Sequence, residues 1–139
     1  MAASEDIIRN LNELFAEEVE AAMRYLHLAA TLKGLDRLIV RETLLQSMQE
    51  TLEHAQTIAA KIIQLGGVPR AKLQLELPAE MQSASEAIRT ALAFEQAALD
   101  GYRELLEKAG NDVVLEEFVR AQIAIESEHV SQLYLLLDA

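Results

Sequence analysis

Apolar residues recur along this chain at three- and four-residue spacing in four long runs, set apart by Gly, Pro, Ser and Asp. That period belongs to helices with one face turned to a core. The first run starts at Ser4, an N-cap with Glu5 and Asp6 in the first turn, and stops at Gly34. The second opens at Asp36 and reaches Gly66 and Gly67, where the chain must leave helical geometry. Between Val68 and Gln82 lies VPRAKLQLELPAEMQ, bracketed by Pro69 and Pro78. The third run takes Ser83 or Ser85 as its cap and ends at Gly110, and Asp112 caps a fourth that continues to the last residues.

The connections decide the architecture. The first and third take only a few residues, so each joins its two helices as an antiparallel hairpin. The middle one, about 15 residues long, can run the length of a bundle when extended. The pattern predicts an all-α four-helix bundle, one domain over residues 1–139, with two hairpins joined by a long crossover.

Composition agrees: Ala, Leu, Ile and Glu dominate, Gly and Pro are scarce, and aromatics are only 4% of the chain. A formal charge of −11 and the lack of a basic stripe argue against nucleic acid and are compatible with attracting cations. Without Cys there is no disulfide, thiolate metal site or thiol nucleophile. The opening MAASEDIIRN lacks the regions of a signal peptide, and no apolar run approaches the roughly 20 residues that cross a bilayer. A cytoplasmic protein is expected.

Candidate chemistry sits inside the apolar stripes. Glu18 is flanked at helical spacing by Leu11, Leu14, Phe15, Ala21, Ala22 and Tyr25, and Glu95 by Ile88, Ala91, Leu92, Ala98, Leu99 and Tyr102. Glu126 lies among Val119, Gln122, Ile123, Val130 and Leu133, one turn before His129, so that a carboxylate and an imidazole share a face. Each Glu is about a dozen residues from a helix end, roughly 18 Å, which brings the groups to one level. On the second helix the stripe reads Leu45, Met48, Leu52, Ala55, Ala59 and Ile62, with His54 at its edge. No Lys or Arg is expected on these inward faces. Burying unpaired carboxylates is costly, and a cation shared among Glu18, His54, Glu95, Glu126 and His129 relieves the cost at all of them. Oxygen and nitrogen donors without sulfur suit Fe, Mn or Zn. His27, about 180° from Glu18 around its helix, faces away, while Glu13, Glu17, Glu20, Glu116 and Glu117 read as solvated faces. Tyr25 and Tyr102 are hydrogen-bond donors beside the site or plain core.

Four segments resemble bacterioferritin: LNELFAEEVEAAMRYLHLA around Glu18, LEHAQTIAAKIIQLGGVP around His54, LAFEQAAL around Glu95 and IAIESEHVSQL around Glu126 and His129. The resemblance implies a ferritin-like fold with a non-haem di-iron centre that oxidises Fe(II) with dioxygen or peroxide, within a shell that stores ferric mineral. Three departures stand out. Thr51 occupies the position three before His54 where the family carries a metal-bridging Glu. Glu50 points about 100° away and would reach in only through a helix distortion such as a π-bulge. Three carboxylates leave two divalent ions under-compensated, so the second ion should bind weakly. Leu52 replaces the Met that holds haem in haem-binding members, so no haem is expected. A fifth helix that cage-forming members carry is missing, which puts a large cage in doubt. The apolar line Leu38, Leu45, Leu52 and Ile63 favours a homodimer. Iron oxidation, turning over if two irons bind, is the first functional expectation; a metal-binding or structural subunit with an incomplete centre is the alternative.

Overall fold

A computed structural model describes residues 5–137; the expected cap at Ser4 lies outside them. Four helices account for most of the described chain: α1 Glu5–Ala30, α2 Arg37–Gln64, α3 Ala84–Lys108 and α4 Val113–Leu136. The ends of α2 and α3 and the start of α4 fall within two residues of their sequence signals, whereas α1 stops at Ala30, four residues before Gly34, because Leu32 and Lys33 are drawn into pairing with the crossover. The α3 start is a capping box, in which the Ser83 side chain accepts from the Glu86 N–H and Glu86 accepts from the Ser83 N–H. Asp112 caps α4 by accepting the Leu115 N–H at 3.0 Å. Asp36 precedes α2 without a side-chain capping bond.

The exit from α2 needs both of its glycines. Gly66 takes a left-handed φ of 91°, and the N–H groups of Gly66 and Gly67 return to Ile63 and Ile62 at 3.0 and 2.9 Å, a Schellman closure. A Cβ on Gly67 would come within 2.8 Å of the Ile8 side chain on α1 and 3.1 Å of that of Ile62, so a side chain there would require these packed isoleucines to shift.

The crossover then runs along α1. The Arg70 N–H donates to Asn12 at 2.6 Å, and further along the Gln74 N–H donates to Glu20 at 3.3 Å. It finishes beside the α1–α2 turn, where β2 (Gln82–Ser83) pairs in parallel with β1 (Leu32–Lys33). The strap has therefore travelled from one end of the bundle to the other, and the expected all-α topology of two hairpins and a long crossover is what the chain adopts.

The interior is two apolar plugs with a polar layer between them. One plug includes Leu11, Leu14, Ile58, Ile62, Tyr102, Leu105, Leu115 and Val119; the other includes Tyr25, Leu28, Leu32, Leu44, Ile88, Ala91 and Leu133. Glu18, Thr51, Glu95, Gln122 and Glu126 are buried in the layer between. Two expectations need correction. The buried residues of α2 are Leu44, Thr51, Ala55, Ile58, Lys61 and Ile62; of the expected stripe Ala55 and Ile62 are buried and Leu45 and Met48 pack against the core, while Leu52 is 41% exposed, so the inward face is turned toward Leu44, Thr51 and Ile58. Lys61, contrary to expectation, is a buried cation; it donates to Gln64 at 3.0 Å and sits 5.3 Å from the Phe118 ring centre.

Candidate metal centre

The rephasing of α2 places His54 one turn after Thr51 and one turn before Ile58, inside the buried stripe. All five residues singled out in the sequence come together in the polar layer. His54 Nδ1 lies 3.5 Å from Glu18 Oε2 and 3.3 Å from Glu126 Oε1; His129 Nδ1 lies 3.4 Å from Glu95 Oε2. The two imidazoles stack with centres 5.3 Å apart and planes 17° apart. Glu18, Glu95 and Glu126 are 2%, 2% and 1% exposed.

Several inward atoms lack an aligned hydrogen bond: His54 Nδ1, Glu95 Oε2 and Glu126 Oε2. Buried polar atoms are normally satisfied. Donor atoms of His54, Glu126 and His129 lie within 4.8 Å of one another, a separation one cation can span. Hard oxygen and imidazole nitrogen donors around orphaned, dry carboxylates fit an iron-like or similar divalent ion.

Without a metal, protons take the cation's part. Burial pushes the Glu126 carboxyl up to about 9, with Glu95 and Glu18 adding to the rise and His54 opposing it. Glu18 is also raised by burial, against the pull of His54 and Tyr102. Burial opposes charge on His54 too, but the carboxylates of Glu126 and Glu18 beside Nδ1 outweigh it and lift His54 to about 10. For Glu95 burial is again the largest influence, yet His129 and Glu126 together hold it below the usual carboxylate range. His129 is raised by its bond to Glu95.

Glu50 stays at the rim on an uninterrupted α2, its Oε2 lying 3.0 Å from His129 Nε2 across the α2–α4 groove. That carboxylate stands against the outer nitrogen of His129 while Nδ1 faces Glu95, the orientation that metal-binding histidines adopt. The Thr51 hydroxyl is occupied with its own helix, donating to the Ser47 carbonyl at 2.7 Å. His27 stays outside the cluster, as expected. Glu17, expected to be simply solvated, has its carboxyl raised to about 7 by burial and by Glu18, Glu13, Glu20 and Glu104.

The two sides of the layer differ in access. Tyr25 and Tyr102 close the α1–α3 side, 1% and 0% exposed, and burial keeps both phenols protonated well above the usual range. On the α2–α4 side a cavity of about 230 Å³, lined by Glu50, Glu53, His54, Glu128, His129 and others, leads outward.

A family model for the ferritin-like domain matches residues 8–139. Among solved structures the chain is similar to a ferritin-like, diiron-carboxylate protein from Bacillus anthracis, at 29% identity and TM-score 0.84, covering 98% of this chain and 100% of that one. Rhodobacter capsulatus bacterioferritin shares the fold at 24% identity and TM-score 0.82, over 99% of this chain and 86% of that one. A Dps protein from Staphylococcus aureus shares it at 18% identity and TM-score 0.88, over 100% and 99% of the two chains. No curated protein sequence gives a significant match.

Proposed function

Because this chain belongs to the ferritin-like domain family, we propose that its central polar layer binds non-haem iron and oxidises Fe(II). The observation that carries this reading is the set of three nearly unexposed carboxylates and two imidazoles turned toward one point, with inward atoms left unsatisfied. Glu18, His54, Glu95, Glu126 and His129 would hold the metal. The bacterioferritin resemblance and the diiron-carboxylate protein similar in structure support iron over Mn or Zn, which the same donors also suit.

In this reading Fe(II) is substrate. It enters past Glu53 and Glu128, whose charges attract cations to the opening. His54 and Glu126 give up their protons as the ion takes their place, so binding releases acid. Two ferrous ions together would give two electrons, with two protons, either to dioxygen, which leaves as hydrogen peroxide, or to peroxide, which leaves as two waters; anionic oxygen donors favour the resulting Fe(III) over Fe(II). The tyrosine wall keeps water from the reacting groups on the opposite side.

Thr51 favours a second reading, a metal-binding subunit with an incomplete centre and no turnover. Its hydroxyl is already bonded to Ser47, so it brings no carboxylate to balance a second ion. Elemental analysis of the purified protein, followed by anaerobic Fe(II) titration and exposure to dioxygen under absorbance, separates the two. Two irons per chain with repeated oxidation supports the first reading. One tight ion and no oxidation supports the second. The exposed apolar residues Leu38, Leu52 and Ile63 on α2 support pairing of two copies, which solution mass measures.

A further inference from the structure

Glu18 is held at one of its oxygens and faces an imidazole with the other. Oε1 accepts the phenolic O–H of Tyr102 at 3.3 Å, while Oε2 lies 3.5 Å from His54 Nδ1. Tyr102 is 0% and Glu18 2% exposed, so water cannot readily replace the phenol. The tyrosine comes from α3 and reaches across to a carboxylate on α1, two turns along its own helix from Glu95. Tyr25 stands in the reciprocal place, two turns from Glu18 on α1 with its phenol against Glu95. The rings of both tyrosines belong to the apolar plugs, but the hydroxyl of Tyr102 is not needed for packing; its direct consequence is the orientation of Glu18.

Resting on the iron-binding reading above, we propose that Tyr102 is a positioning residue that orients Glu18 toward one donor oxygen for the metal. A carboxylate free to turn can chelate through both oxygens and fill two coordination positions. With one lone pair of Oε1 engaged by the phenol, Glu18 is oriented so that Oε2, on the side facing His54, is the oxygen it would offer more readily. Partners that orient a metal-binding group in this way typically contribute about 10–100-fold in affinity.

The test uses the full chain with Co(II) as probe, read by calorimetry and by the visible absorption of the bound ion. Tyr102→Phe keeps the ring and removes one hydrogen bond, and retained cooperative unfolding in urea shows that the core survives. The expected result is a loss of roughly tenfold or more in Co(II) affinity with a changed absorption band. The same substitution in a Glu18→Gln background should have little further effect on affinity, because the tyrosine acts through Glu18. Unchanged affinity and spectrum in Tyr102→Phe, or losses that simply add in the double variant, overturn the proposal. If the unmodified chain takes up no Co(II), the iron-binding reading itself falls and takes this proposal with it, an outcome distinct from binding that ignores Tyr102.

Discussion

The two walls of the polar layer meet the same problem, buried acid, in opposite ways. On α1 and α3, Glu18 and Glu95 are each 2% exposed and lie against Tyr102 and Tyr25, so that wall is dry. On α2 and α4, the His54 and His129 side chains keep 12% and 15% exposure and face the cavity that carries Glu50, Glu53 and Glu128. Dry carboxylates hold a cation strongly because water offers them no alternative. A wall closed on every side would also prevent exchange. The contrast teaches a division of labour: buried Glu18, Glu95 and Glu126 create the need for a cation, the tyrosines of α1 and α3 close one side, and α2 and α4 supply its route and the nitrogen donors that accept it.

Removing the donors of the open wall should have the largest effect. Glu126→Ala combined with His129→Ala takes away a buried carboxylate and an imidazole together, leaving Glu95 without its imidazole partner and Glu18 with His54 alone across the layer. Tight metal binding, followed by calorimetry with Mn(II) or Co(II), should weaken by at least about 100-fold, beyond what loss of an outer partner costs. Affinity near the unmodified level would mean that the dry wall suffices or that the site lies elsewhere. Thr51→Glu works in the other direction, adding to the open wall the carboxylate it lacks. Thr51 is 1% exposed, so the new acid would be buried beside three others. The metal-free variant should unfold at lower temperature, by several degrees, and bound metal per chain should rise toward two. Unchanged stoichiometry would count against Thr51 as the cause of the deficit.

The same contrast explains what could be read from sequence. On α1 and α3 one narrow apolar stripe faces one core, so a Glu in its middle stands out, and Glu18 and Glu95 are buried where the pattern put them. On α2 apolar residues lie on more than one side: Leu38, Leu52 and Ile63 are exposed, while Leu44 and Ile58 are buried. Period alone fixes the phase of such a helix loosely: Ala55 and Ile62 are buried as the pattern has them, but Leu52 belongs to the exposed line and Thr51 to the buried one. His54 was still identified, since it lies close to both lines. The contact of Glu50 with His129 depends on α4 lying across a groove, a tertiary fact that a single helix does not encode. Lys61 escaped for a related reason: its long apolar stem allows burial against Phe118 at a position that charge alone assigns to solvent.

A change of pH probes both walls without substitution. In the metal-free protein the folded state holds protons that the unfolded chain releases: Glu126 rises from 4.5 to about 9 and His54 from 6.5 to about 10. Both are raised in the fold, so their contribution to stability is present at low pH and is lost as pH rises through these values. For Glu126 the loss runs between about 4.5 and 9, and for His54 between about 6.5 and 10. A bound ion replaces the protons, so metal should stabilise the fold more as pH rises. Thermal unfolding at about pH 6 and about pH 8.5, with chelator and with Mn(II), should show a widening gap. A gap that narrows would mean the ion binds groups other than these.

The smallest effect tests the open wall as a route. Glu53 and Glu128 are exposed at the cavity and are not among the groups proposed to hold the metal, so their charge should affect how fast a cation arrives more than how tightly it stays. Glu53→Gln with Glu128→Gln should slow Co(II) association, followed by stopped-flow absorbance, by about two- to fivefold at low ionic strength. The difference should shrink toward about 0.5 M salt as screening shortens to a few ångströms. The whole chain carries −11, so loss of any two charges weakens the overall field, and a control is needed on the other side. Glu13→Gln with Glu5→Gln supplies it, since those residues line the groove between α1 and the crossover, away from the cavity. Fast uptake in the control and slow uptake in the α2–α4 pair would place entry at the open wall. Equal slowing in both would leave net charge, and not the cavity, as the source of attraction.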